Sequence, residues 1–200
     1  DPRAAPALTA LVATPGRFTA SFAVKGLGSS KATQAATTLR QIVEQRQLPP
    51  AVVIQAVRSL TAIRDSGAVP MLTKTVADSA SDPTLRLEAM NALAALVTRE
   101  HVDLLLDLVS HSVPGIRGGA LQALARVDPD TFLTALGSLD ADRDWTVRVA
   151  VATALGTLPS AQSLPRLTVM LQDSDQKVIP AVLGALASSK ATGVERVLLD

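Results

Sequence analysis

Few residues in this chain could do chemistry. Asp140, Asp142 and Asp144 alternate in the segment DADRD. An alternating acid triplet can open a calcium loop, which also needs glycine at its sixth position and a bidentate glutamate at its twelfth. Trp145 and Val151 stand there instead. The acids are therefore expected to cap the helix that follows and to favour its positive end. His101 and His111 are the two histidines of the chain, and there is no cysteine. Without cysteine or a carboxylate cluster beside them, these histidines are a poor metal site and read as surface or loop residues. No GxSxG elbow occurs, so no serine has the partners of a nucleophile. The glycine cluster PGIRGG, Pro114 to Gly119, lacks the phosphate-loop form GxxxxGK[ST]. Gly119 aligns with Ala150 and is expected to let two helices approach, at a cost of about 1 kcal/mol per helical glycine. Arg86, Arg117 and Arg148 recur 31 residues apart, with Lys25 and Arg58 on a nearby row. Such a strip could read phosphates, but a net charge of +1 and 2% aromatic residues argue against nucleic acid. The arginines are read as structural, and Trp145, the lone tryptophan, as packed over its loop. No catalytic residue, cofactor or metal ligand is expected, and no small-molecule substrate is evident.

What must position these residues is a repeat. Leu27, Leu60, Leu93, Leu124, Leu155 and Leu186 follow one another at spacings of 33, 33, 31, 31 and 31 residues. Each follows a small residue: Gly26, Ser59, Ala92, Ala123, Ala154 or Ala185. Four residues earlier stand Ala23, Ala56, Ala89, Ala120, Val151 and Val182. Eight residues earlier stand Thr19, Val52, Leu85, Ile116, Val147 and Val178. Offsets of four and eight share one stripe of a helix, and recurrence at a nearly fixed period marks a repeat array. The short side chain allows close helix approach while the leucine fills the space between layers.

Proline and acid-rich loops separate the helices. Helices are expected over Ala4–Ala13, Arg17–Leu27, Thr33–Gln47, Ala51–Ile63, Ala68–Ala77, Leu85–Leu96, Val102–Ser110, Ile116–Val127, Asp130–Leu139, Trp145–Leu158, Ser163–Leu171 and Lys177–Ser188. Another begins at Gly193. No segment alternates with a period of two, so no sheet is expected. The fold class is all-α: a right-handed α-solenoid of about six helix pairs plus a trailing helix, one continuous domain over residues 1–200. The start lacks the pattern of a signal peptide, and no apolar stretch is long enough to span a bilayer, so no membrane partner is expected. The closing ATGVERVLLD reads as the first helix of a further repeat, so the chain is expected to be part of a longer one.

Helix pairs at this period, joined by loops of DxD or DP type, resemble HEAT-like repeats. The segment LDADRDWTVRVAVATALGTL carries the resemblance best, with Asp142 six residues before Arg148. The resemblance implies a structural ladder of acid and arginine between successive repeats, involving Asp142, Arg86, Arg117 and Arg148. At the acid position Asp142 and Asp173 remain, whereas Ala80 and His111 replace the acid in the middle repeats. Roughly residues 15–200, notably DPDTFLTALGSLDADRDWTVRVA and LPRLTVMLQDSDQKVIPAVLGALASSKATG, also resemble the HEAT region of bacterial proteins carrying a cyclophilin-type peptidyl-prolyl isomerase domain. This implies an isomerase elsewhere in the parent protein and no catalytic residue here. It leaves the compartment open between bacterial cytoplasm and cell envelope.

The inner-helix row Ser21, Ile54, Leu87, Gly118, Val149 and Pro180 is apolar where a solvated face would be charged. Ile54, Leu87 and Val149, with Arg58 and Lys25, are the expected partner-binding residues, and the partner is a protein or peptide. The expected function is a non-catalytic scaffold. The alternative is a HEAT-like enzyme or nucleic-acid-binding module of the DNA glycosylase or bilin lyase type. Duplex DNA at low salt discriminates between them: the scaffold should not bind it, and tight, steeply salt-dependent binding would favour the nucleic-acid reading.

Overall fold

The computed structural model describes residues 1–13 and 17–188. Residues 14–16, between the helices expected over Ala4–Ala13 and Arg17–Leu27, and the helix expected from Gly193 lie outside the described residues. Among the described residues twelve α-helices and no strands are found. The chain divides into two compact units, Asp1–Val97 and Thr98–Asp200.

Unit 1 holds α1 (Ala5–Val12), α2 (Arg17–Ser29), α3 (Ala36–Gln45), α4 (Pro50–Ala62), α5 (Val69–Ala77) and α6 (Pro83–Leu96). They pack as the pairs α1 with α2, α3 with α4 and α5 with α6, and the inner helices α2, α4 and α6 stack in sequence. Unit 2 holds α7 (Val102–Val109), α8 (Pro114–Val127), α9 (Pro129–Ser138), α10 (Trp145–Leu155), α11 (Ser160–Met170) and α12 (Ile179–Ser188); α7 pairs with α8 and α11 with α12, while α9 packs on α8. Its stacked inner helices are α8, α10 and α12. Both units are stacks of the α-solenoid type.

The helix ends follow local chemistry. Proline occupies the first turn of α4, α5, α6, α8 and α9, where its missing N–H would be unpaired anyway. Asp82, Asp128 and Asp144 accept hydrogen bonds from the first-turn amides of α6, α9 and α10. After α2 and α4 the chain turns through Lys31 and Arg64, with φ near +52° and +56°. The amide that follows each reaches back, Ala32 to Leu27 O and Asp65 to Leu60 O, and closes the helix carbonyls. Several ends differ by one to three residues from the sequence expectation, two of them around a glycine and a proline. α10 stops at Leu155 because Gly156 caps it, and α11 begins at Ser160 directly after Pro159.

All six leucines of the column are fully buried, each worth roughly 1.5–3 kcal/mol of transfer free energy. The close approach lies one residue past the leucine of the preceding helix. A methyl group added at Gly28 would stand 2.8 Å from Ser59 Cα, and one at Gly156 would stand 2.9 Å from Ala185 Cα. Ser59, buried there, donates its hydroxyl to Val24 O at 2.8 Å. In α8 the contact falls on Gly118, whose added methyl would lie 3.0 Å from Ala150 Cβ. This corrects the expectation placed on Gly119, which is only half-buried.

Gly28→Ala tests the packing. Forcing backbones apart costs about 1–3 kcal/mol, against a helix-propensity gain of about 1 kcal/mol. The urea midpoint of the variant should fall; a rise would mean that α2 and α4 do not touch as described.

Candidate functional site

Two surfaces and one side-chain ladder bring the functional candidates together. Within unit 2 the ladder has two rungs. Arg117, on α8, makes a bidentate pair with Asp142: Nε to Oδ2 at 2.7 Å and Nη2 to Oδ1 at 2.8 Å. Its Nη1 donates to the carbonyls of His111 and Ser112. One repeat later the same pattern recurs. Arg148 Nε and Nη2 reach Asp173 at 2.7 and 2.8 Å, and Nη1 reaches the carbonyls of Asp142 and Arg143. Each acid also accepts the amide two residues on, from Asp144 and Asp175. Asp142 is thus held twice, by carboxylate and by carbonyl, from two different repeats.

These pairs are largely shielded from water, with side-chain exposures of 17% and 21% in the first and 13% and 8% in the second. Hydrogen bonds from Arg117 hold the Asp142 carboxyl below its ordinary value, and those from Arg148 do the same for Asp173, against the opposing effect of burial. Arg86 is placed differently: its Nε donates to Val76 O at the end of α5. The residue 25 positions after Arg86 is His111, where Arg117 and Arg148 find aspartate. His111 Nδ1 keeps part of the acid's role by accepting the Val113 amide at 3.0 Å. Asp144 caps α10 through the Thr146 amide and hydroxyl. Trp145 is 37% exposed, with the Lys177 ammonium 5.0 Å from its ring centroid, in place of the buried packing expected.

The first surface is the inner-helix face of unit 1. Lys25 on α2 and Arg58 on α4 are exposed, Ile54 is half-buried, and Leu87 on α6 is 40% exposed. Arg58 pairs with Glu88 at 2.9 Å, tying α4 to α6 beside Leu87. The neighbouring row Val24, Val57 and Met90 is buried between the stacked helices. In unit 2 the same register reads differently, since Gly118 is buried and Val149 half-buried. The structure thus groups Ile54, Leu87, Arg58 and Lys25 within unit 1 and leaves Val149 in unit 2.

The second surface was not expected. In unit 2 a crevice of about 1220 Å³ lies beside α9, α10 and α11 and the loops that follow α9 and α11. Leu121, Leu136, Val147 and Val151 supply apolar lining, and Asp142, Arg148 and Asp173 of the ladder stand in it. Arg166 of α11 reaches across to donate to Leu136 O of α9. Leu139 and Val169 line it as well and are 44% and 73% exposed. The signal in the sequence was faint: Val169 sits on the outward side of an outer helix that should be polar there.

Comparison with known proteins agrees with the repeat. The HEAT repeats family model matches residues 75–140 and 133–200, more than half of the chain, and the chain belongs to that family. No match to a curated protein is found. A solved structure, the complex of CpcE and CpcF of phycocyanin lyase from Nostoc sp. PCC7120, is similar in fold with a TM-score of 0.52 at 19% identity. The likeness covers 100% of this chain and 81% of that one.

The ladder sets a pH and stability expectation. Both carboxyls titrate lower in the folded state, so their contribution is complete above the unfolded carboxylate value of about 4 and is lost as pH falls through the folded values. Asp142→Asn and Asp173→Asn should each cost about 1–3 kcal/mol at neutral pH. The gap to wild type in urea midpoint should close near pH 2. An equal gap at both pH values would show that the charge does not matter.

Proposed function

We propose that this chain is a non-catalytic HEAT-repeat scaffold that holds a protein or peptide partner on the inner-helix face of unit 1. The observation carrying this reading is Leu87, a large apolar side chain left 40% exposed on a stacked inner helix between exposed cations and a paired acid. A buried apolar anchor within a polar rim is the usual anatomy of a protein contact. Lys25 and Arg58 give the rim a positive bias, which suits a partner with acidic residues flanking its apolar anchor. The likeness of residues 15–200 to arrays linked to a cyclophilin-type isomerase supports a finer form, in which the held client is presented to an isomerase domain.

A second reading is favoured by the fold likeness to the CpcE and CpcF complex. In it the chain is a subunit of a bilin lyase, and the unit 2 crevice holds the chromophore. A bilin titrated into the protein would then shift its absorption band in the wild type and lose the shift in Arg166→Ala; an unchanged spectrum removes this reading.

For the scaffold, peptides are selected from a displayed library against the full chain. Selected acidic-apolar ligands should weaken at least tenfold on Leu87→Glu while helicity is unchanged, and Lys25→Glu should weaken them several-fold. Selection of no ligand, or equal affinity for the Leu87→Glu protein, would sink the reading. Val149→Glu is the companion variant; an equal loss there would extend the contact into unit 2.

A further inference from the structure

We infer that the unit 2 crevice is a second binding site, whose ligand is an extended, uncharged and mainly apolar peptide segment. The inference rests on the scaffold reading only in taking the ligand to be polypeptide; it uses a different unit and different residues. Three observations define the ligand.

The size comes first. At about 1220 Å³ the crevice exceeds the roughly 300–1,000 Å³ of ordinary small-molecule sites, so it admits several residues of chain. Its lining then calls for apolar side chains. Val147 and Leu136 are buried in the lining, while Leu139 and Val169 stand 44% and 73% exposed with no apolar cover. Covering such residues is favourable at about 25 cal/mol per Å².

Charge decides the rest. Asp142, Arg148 and Asp173 also line the crevice, but they are saturated by the ladder. The remaining charges balance, two acids (Asp140 and Asp175) against two bases (Arg143 and Arg166). A crevice whose remaining charges cancel exerts no net pull on a phosphate chain or on a peptide charged with one sign. What it does offer is neutral hydrogen bonding. Gln172, Ser174 and Gln176 line the crevice, and their side chains hold no hydrogen bond among the described residues. Amide and hydroxyl groups both donate and accept, which matches the alternating N–H and C=O groups of an extended backbone.

The ladder gives the site a fixed wall. Because Arg148 ties the loop after α9 to the loop after α11, the two loops bordering the crevice are held at a set distance before any ligand arrives. Preorganisation of this kind lowers the ordering cost of binding.

The test uses the full chain and three labelled, capped octapeptides in which leucine alternates with serine, aspartate or lysine. Fluorescence anisotropy should show the leucine–serine peptide binding at least tenfold more tightly than either charged one. Val169→Glu, at an exposed position that carries no core, should weaken it at least tenfold with circular dichroism unchanged. Leu139→Glu should act likewise and guards against an effect peculiar to one helix. Leu87→Glu should leave the affinity as it was. Absent binding, no preference for the neutral peptide, or indifference to both Glu variants at the crevice would overturn the inference. A loss on Leu87→Glu alone would assign the peptide to the inner face of unit 1, refuting the crevice site while sparing the scaffold.

Discussion

Backbone contact between consecutive inner helices is the constraint on which everything else here depends. At Gly28 against Ser59 and at Gly156 against Ala185, nothing larger than hydrogen fits between the two chains. Helices that close cannot slide without collision, so their axial register is set. With register set, a residue 31 or 33 positions on lands beside its counterpart. That is why Arg117 finds Asp142 and Arg148 finds Asp173 at the same separation of 25 residues. It is also why a full layer of leucines can be excluded from water without large aromatic side chains, of which the chain has almost none. Small residues and leucines act as one device, the first bringing backbones together and the second filling what remains.

The two surfaces differ because inner and outer helices obey this constraint unequally. Within each unit the inner helices stack on one another, so their exposed residues form a narrow strip such as Lys25, Arg58 and Leu87 in unit 1. Among the outer helices of unit 2, α9 packs chiefly on α8 and α11 on α12, and α11 contains Pro165, which removes one backbone donor from its middle. The crevice opens between α9 and α11, and Val169 and Leu139 are left against it. Unit 2 therefore combines two bidentate, shielded joints with a crevice of about 1220 Å³.

Much of the fold was legible in the amino-acid order because the repeat writes the same instruction six times. The leucine column and the acid cap at Asp144 each act within a turn or two of helix, where pattern and structure coincide, whereas the helices expected from Ala51, Leu85 and Ile116 begin one or two residues earlier, at Pro50, Pro83 and Pro114. The errors came where two helices meet. Gly118 and Gly119 are indistinguishable by type, and which one faces Ala150 depends on the crossing of α8 and α10, which no local pattern encodes. The ladder was legible as residue types but not as partners: Asp142 stands six residues before Arg148, yet it gives its carboxylate to Arg117 and only its carbonyl to Arg148. The crevice was not legible, since sparse packing between outer helices leaves no mark in hydrophobic periodicity.

The double grip on Asp142 has a mechanical consequence. Its side chain and its main chain are pulled toward different neighbours, so the loop that carries it behaves as a rivet through two plates. A load that strains one plate is shared at once with the next, and neither joint can shear alone. Unit 1 is fastened otherwise, by single clasps such as Arg58 with Glu88 and Arg46 with Asp78, each joining one pair of layers. Stretched from its ends, the first unit should part clasp by clasp, like a row of separate buttons, whereas the riveted unit should hold and then give way in one event.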